Sequence, residues 1–432
     1  MKIEISDNKK WQQSLTIKMM MLAFLGLFLL APLEMIKEII RERQKTSEDV
    51  KKEITTQWAG RQTISGPVLN IPVRITPLKK ETEPYKTIFH LMPENLKISG
   101  NVQTEKRHRS IYQAVVYSGL LEISGLFKIP EINTGEIQEI LWNEAYYSIG
   151  ISDNRGIKGT VILNDSNSEV EAIPGLNDFE LFASGITFPA TVSKEAQSVP
   201  FTVSLTLSGS ESLGFTPLGK TTDITIASPW SSPGFNGKFL PAERTINEAG
   251  FDAKWLITNL NRNFPQSWTG KSFNPENDSF GVDFVLTVDH YQKSLRSAKY
   301  GILFIAFTFL ALIFAELATS ENLHVFHYIL VALALVLFFS LLNSLSEHTG
   351  FNIAYIISAL STITLISVFL NALIKKPKIV LLIFGLLVFL YTFIFILLTL
   401  NDYAYLAGNI GLFILLTVTM ILSVRLRLFR KE

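Results

Sequence analysis

The apolar positions of this chain fall into blocks. A bilayer core about 30 Å thick takes a helix of about 20 apolar residues. Five such blocks lie in the last third: Tyr300 to Ala318, Val325 to Leu342, Phe351 to Ile374, Ile379 to Leu400 and Tyr403 to Val424. In hydrocarbon every backbone amide must be bonded internally, so these segments are expected to be helices. A sixth block, Met19 to Leu33, stands near the start between Lys18 and Glu34. It resembles a signal-peptide core in length, but no small-x-small cleavage site follows it. Lys18 also reaches toward the headgroups and lengthens the usable span. The block is therefore read as a retained anchor.

Between the first and second blocks the period changes. The segment EMIKEIIRERQKTSEDVKKEITTQW places Ile36, Ile40, Ser47, Val50 and Ile54 near one helical stripe. Acid-to-base pairs at helical spacing, Glu34 with Lys37, Glu38 with Arg41 and Glu48 with Lys52, support it. A helix leading out of the membrane is the plain reading, and a coiled-coil stalk the sharper one. From Gln62 short runs of strand period follow, separated by turn residues: TISGPVLNIPV, TIFHLMP, KISGNVQTE, YQAVVYSGLLEISGLF, AYYSIGISD, GTVILND and PFTVSLTLSGS. Two helices are expected among them, near Gln138 to Tyr146 and Glu248 to Leu260. Val282, Phe284, Leu286 and Val288 alternate against Asp283, Val285, Thr287 and Asp289 as a strand leading to the second block. Tyr291 to Ser297 is expected to feed directly into it.

The predicted fold is a membrane α-helical bundle of six spanning helices plus a β-rich extracytoplasmic domain, sandwich-like or a bent antiparallel sheet. The expected parts are a cytoplasmic N-terminus (1–18), the first transmembrane helix (19–33) and a helical stalk (34–61). A periplasmic β-rich domain (62–299), a five-helix transmembrane domain (300–424) and a basic cytoplasmic tail (425–432) complete it.

Charge orients this arrangement. With six spans and the N-terminus inside, the inner segments hold Lys2, Lys9, Lys10, Lys18, Lys375, Lys376, Lys378, Arg425, Arg427, Arg430 and Lys431. The two short outer loops, Ser344 to Gly350 and Asn401 to Asp402, hold no Lys or Arg. Eleven basic residues against none is a strong positive-inside pattern, and it requires an even number of spans. Residues 34–299 are thereby expected outside.

Composition adds exclusions. The net charge of the 432 residues is +1, so no basic excess points to nucleic acid. No cysteine is present, which removes disulfides, thiolate metal sites and a cysteine nucleophile. There is no phosphate-binding glycine loop, no GxSxG and no HExxH.

Polar residues at the two ends of the spans are the candidates for chemistry. At the outer edge the expected topology gathers Asp289, His290, Tyr291, Arg296, Lys299, Glu347, His348, Asp402 and Tyr403 from three segments. A salt-bridged seam fixing the domain on the bundle is the plain reading, and a ligand or proton-linked site the sharper one. At the inner edge Glu316, His324 and His327 suit a proton relay or weak metal site, although polar residues also simply mark helix ends in the headgroups. The aromatics Trp230 and Phe235, in the run Ser228 to Pro241, are assigned to the core beneath a long loop rather than to a partner surface.

One stretch carries more than a pattern. It includes Gly209-Ser210, Phe215 with Pro217-Leu218-Gly219, Ser228-Pro229-Trp230, Phe235-Asn236-Gly237 and Phe239-Leu240-Pro241. It continues with Gly250-Phe251, Trp255, Leu260 with Arg262, and Pro265-Gln266 with Trp268. Together with GVDFVLTVDHYQKSLRSAKYGILFI, SLSEHTGF, NDYAYLAGN and ISDNRGIKG, it resembles the CreD family of bacterial inner-membrane, or cell envelope integrity, proteins. The resemblance covers about residues 15 to 430. One departure is His324-Val325-Phe326-His327-Tyr328, where the family pattern would place a proline after the first histidine. The resemblance implies an inner-membrane protein linked to envelope stress, under a two-component system in some bacteria, and supplies no biochemical activity.

The expected function is therefore a non-enzymatic scaffold or interaction role in envelope integrity or stress response. The alternative is a transporter or proton-linked protein with its site at the periplasmic edge. A signalling receptor lacks a cytoplasmic output domain, and an enzyme acting on lipid or peptidoglycan is a further class. No cofactor or metal is expected. The expected partners are membrane lipids and other envelope proteins, and both termini are placed in the cytoplasm.

Overall fold

The computed structural model describes residues 15–76, 83–132, 137–165, 168–177, 180–194, 196–284, 290–319, 323–374, 376–400 and 404–425. The chain divides into two units, Met1–Glu48 with Val288–Glu432, and Asp49–Thr287.

The first unit is helical. Helix α1 spans Leu15–Phe28 and α2 spans Leu30–Trp58, its end from Asp49 onward belonging to the second unit. The interruption at Leu29 has a local cause. Pro32 has no N–H to donate to the Phe28 carbonyl. The helical bonds from Leu29 N to Leu25 O, 3.0 Å, and from Leu33 N to Leu29 O, 3.3 Å, carry the path across. Ile36, Ile40 and Ser47 of the predicted stripe are buried, and Val50 and Ile54 are half-buried. Glu34 pairs with Lys37 at 2.8 Å and Glu38 with Arg41, as the spacing predicts. Glu48 instead accepts a bond from Gln44 at 3.1 Å.

The remaining helices are α3 (His290–Lys299), α4 (Gly301–Thr319), α5 (Val325–Thr349), α6 (Phe351–Leu373), α7 (Pro377–Thr399) and α8 (Ala404–Arg425). By length and apolarity four helices among the described residues can cross a membrane: the α1–α2 rod Ile17–Trp58, α5, α6 and α7. The pair α3 and α4 makes a fifth if counted as one bent span. Tyr291 to Ser297 does not feed straight into that span. The pair bends by 41° around Tyr300. There the bonds from Tyr300 N to Ser297 O, 3.0 Å, and from Leu303 N to Tyr300 O, 2.9 Å, close tight three-residue turns instead of continuing the α-helical ladder.

Aromatic rings fill the bundle interior. Phe304 lies 4.5 Å from Tyr391 between ring centroids, and Phe338 lies 4.8 Å from Tyr391 and 5.5 Å from Tyr355. The Tyr355 hydroxyl donates to the Tyr391 carbonyl at 2.8 Å, which satisfies a polar tip inside an apolar bundle. Gly301 permits a close approach, since a Cβ there would meet Leu33 Cδ2 at 2.9 Å and Phe339 Cε2 at 3.1 Å.

The second unit is β-rich, with sheets of ten and eight strands sharing one core. The ten-stranded sheet is built on Gln62–Ile75. That strand pairs antiparallel with Tyr85–Leu91 and Tyr146–Ile151 and parallel with Ser212–Phe215. The eight-stranded sheet is built on the hairpin Asn95–Arg109/Tyr112–Lys128. Ser198–Ser210 adds to it antiparallel, and Thr221–Ser228 adds parallel to Asn95–Arg109. The sheets are thus mixed rather than purely antiparallel. Rings join them across the core. Phe127 lies 5.7 Å from Tyr147, and Trp255 lies 5.7 Å from Phe280.

The two helices expected within this unit are not formed. Ile137–Ile140 is a strand that pairs with Val73–Ile75, and only the short turn Trp142–Glu144 is helical. Gly250–Thr258 is a strand because Phe251, Ala253, Trp255 and Ile257 all turn into the core at period two. Phe280–Phe284 is a strand that buries Val282 and Phe284, as its alternation predicts. Val285, Leu286, Thr287, Val288 and Asp289 lie outside the described residues. Trp230 and Phe235 pack against the core. Phe235 sits edge-on at 5.8 Å to both Phe251 and Trp255.

Candidate functional site

At the expected outer edge, α3 buries Tyr291, Ser294, Ser297 and Ala298 along one face. The Tyr291 hydroxyl donates to Glu347 Oε1 at 3.4 Å, a long bond. The His290 and Tyr291 rings are neighbours at 4.1 Å, and the Lys293 ammonium lies 5.7 Å from the Phe351 ring centre. His348 and Lys299 are exposed. Among the described residues Arg296, Lys299 and His348 enter no ion pair. Asp289, Asp402 and Tyr403 lie outside the described residues. The structure therefore brings Tyr291 together with Glu347 and leaves His348 and Lys299 facing outward.

The other end of the helical unit holds a tighter constellation. Lys18 on α1 pairs with Glu316 on α4, and its ammonium also donates to the Leu323 carbonyl at 2.7 Å. The Tyr328 hydroxyl on α5 donates to the second Glu316 oxygen at 2.8 Å. The Lys18 and Glu316 side chains are only 14% and 13% exposed, and Tyr328 is fully buried. Phe309 closes edge-on against Tyr328 at 5.8 Å. One carboxylate thus joins three helices in a low-dielectric setting, where attraction is strong and any unpaired charge costs much.

The neighbouring histidines have other tasks. His324 Nδ1 accepts the Phe326 amide at 3.2 Å and caps the start of α5. His327 lies 5.9 Å from the Phe369 ring. Among the described residues no group of three or more His, Cys, Asp or Glu side chains is arranged to hold a metal ion. Sequence reasoning singled out Glu316 but did not pair it with Lys18 or Tyr328. The available signal was charge matching. Lys18 bounds the first apolar block, Glu316 is the one acid of the second, and the expected topology puts both at the same membrane level.

In the β-rich unit the motif ISDNRGIKG forms a junction at the end of α2. Asp153 accepts both Arg155 N–H groups of a forked contact, at 2.9 and 2.6 Å, and the Gly60 amide at 2.9 Å. The Arg155 hydrogen bond, reinforced by the Gly60 amide, pulls the carboxyl down to about 2. The same guanidinium donates to the Thr56 carbonyl at 2.8 Å, capping the helix. Gln62 bridges the Asp153 and Ser208 carbonyls at 2.8 and 3.1 Å. The second motif-rich loop is held in a similar way. Arg262 stacks 4.2 Å from the Phe264 ring centre and donates to the Pro265 carbonyl at 3.2 Å. Burial pushes its guanidinium down to about 10. Gln266 anchors the loop by donating to the Met92 and Pro93 carbonyls at 2.9 and 2.6 Å.

Comparison with known proteins matches the sequence to a family. A family model described as inner membrane protein CreD covers residues 14–428. The inner membrane protein CreD of Escherichia coli (strain K12) is 33% identical over 360 residues, covering 81% of this chain and 79% of that protein. The chain belongs to the family of inner membrane protein CreD.

Proposed function

We propose that this protein is a six-span scaffold of the inner membrane that holds its β-rich unit on the outer side and contributes to envelope integrity without catalysing a reaction. The observation that carries this reading is the distribution of basic residues, eleven in the inner segments and none in the two short outer loops. The β-rich unit falls between the first and second apolar blocks and is exported by the same count. The ring-filled bundle interior, the Asp153 junction and the Arg262 loop support a role in holding structure. Its partners in this reading are membrane lipids and other envelope proteins.

A strain lacking the gene should become sensitive to envelope stress, and purification from native membranes should bring down a stoichiometric protein partner. A co-purifying small solute in place of a protein would contradict the scaffold reading.

The Lys18–Glu316–Tyr328 constellation favours a second reading, a proton-linked membrane protein. Its site would lie at the end opposite to the expected Tyr291–Glu347 edge. Glu316→Gln with full complementation at every external pH would remove it.

A further inference from the structure

The hairpin Asn95–Arg109/Tyr112–Lys128 ends in a run of four basic residues, Lys106, Arg107, His108 and Arg109. Its inward positions Leu96, Ile98 and Val102 belong to the core, whereas everything from Glu105 to Arg109 is exposed. The sheet itself gives no reason for this charge. The end of α2 lies beside the tip. Ile54, Gln57, Trp58, Arg107, Arg109 and Val116 line an open groove of about 420 Å³.

Trp58 is the fixed centre of this groove. Its indole N–H donates to the Tyr117 carbonyl at 3.3 Å. The Arg107 guanidinium lies 5.0 Å and the Lys158 ammonium 5.8 Å from its ring centre. Lys106 sits in the same way on Trp230, at 5.4 Å. Two carboxylates answer this charge. Glu53 pairs with Arg109, and Glu105 pairs with Arg107 at 2.9 Å. Among the described residues Lys106 and Lys158 enter no ion pair. Positive charge is left over, and it sits on indole faces where part of its hydration is already displaced.

We propose that this groove binds a phosphate monoester carried on a small, partly apolar body such as a sugar ring. A phosphate monoester brings close to two negative charges and several acceptor oxygens at neutral pH. It suits a guanidinium fork and an ammonium point charge held near one ring. A carboxylate brings a single charge and only two acceptor oxygens. The apolar floor of Ile54, Val116 and the Trp58 edge accepts the body of the ligand.

The test uses the full chain in a non-ionic, non-sugar detergent and titration calorimetry with glucose 1-phosphate, inorganic phosphate and glucose. Glucose 1-phosphate should bind, glucose should not, and the affinity should fall as salt is raised. Arg107→Gln with Lys158→Gln should weaken binding by about tenfold or more, because two charge-assisted contacts are lost. Both side chains are exposed, so the thermal midpoint should not move. Inorganic phosphate binding as tightly as the sugar phosphate would assign the site to the free anion, and weaker binding would assign it to the phosphorylated sugar. No binding of either phosphate, or undiminished binding by the double variant, would overturn the proposal.

Discussion

Lys18 and Glu316 stand 298 positions apart in the chain and form an ion pair between the first helix and α4, with Tyr328 closing on the same carboxylate. Removing one partner leaves the other buried and unanswered, which costs about 3–5 kcal/mol. Glu316→Ala should therefore lower the thermal midpoint of the protein in detergent strongly. Glu347→Ala removes one long tyrosine contact and should cost about 1 kcal/mol or less. For stability the geometry thus ranks Glu316 above Glu347. The paired substitution Lys18→Met with Glu316→Leu should recover much of the loss. Equal midpoints for Glu316→Ala and Glu347→Ala would contradict this.

The Asp153 junction makes the stability of the β-rich unit depend on acid. The folded carboxyl is held down at about 2, below its unfolded value of roughly 3.9. A depressed acid contributes stability that is fully present above the unfolded value and disappears as pH falls through the folded one. The contribution is about 1–2 kcal/mol once the exposure of Arg155 is allowed for. Denaturant unfolding followed by tryptophan emission should show Asp153→Asn destabilised at pH 7, with the gap closing between roughly pH 4 and pH 2. A gap that stays constant over that range would separate the junction from the acid dependence.

Gly250 marks a position where only glycine fits. Its φ is +141°, and a Cβ there would lie 2.1 Å from the Ser228 carbonyl oxygen and 2.6 Å from Pro229 Cα. It opens the strand that delivers Phe251 and Trp255 to the core. Gly250→Ala should cost about 3 kcal/mol or more, from backbone strain and overpacking together. Gly159 also has positive φ but meets nothing within 4 Å, so Gly159→Ala should cost only about 1 kcal/mol. Similar losses at the two sites in thermal unfolding would show that the close approach does not matter.

Much of this fold was readable in the residues, for reasons that explain the failures too. Tyr112–Lys128 and Ser198–Ser210 announce themselves because parts of each, 119–123 and 198–205, bury alternate residues. The same rule was available at Gly250–Thr258, where Phe251, Ala253, Trp255 and Ile257 alternate, and the expected helix there lost to period two. Ile137–Ile140 is short, and its pairing with Val73–Ile75 is what makes it a strand, so its own four residues carried little signal. The two parallel pairings join segments far apart in sequence, and no local pattern encodes them. The candidate sites divide in the same way. Glu316 stood out as a lone acid in an apolar block and charge matching pointed to Lys18, while Tyr328 became a partner only through helix packing.

The central claim is that the β-rich unit and the positively charged loop lie on opposite sides of the inner membrane. The chain has no cysteine, so single cysteines report their side without background. Thr245 is exposed in the β-rich unit, and Lys376 is exposed between α6 and α7. A membrane-impermeant maleimide applied to spheroplasts should label Thr245→Cys at once and Lys376→Cys only after the membrane is permeabilised. Labelling of Lys376→Cys in intact spheroplasts, with Thr245→Cys protected, would contradict the account.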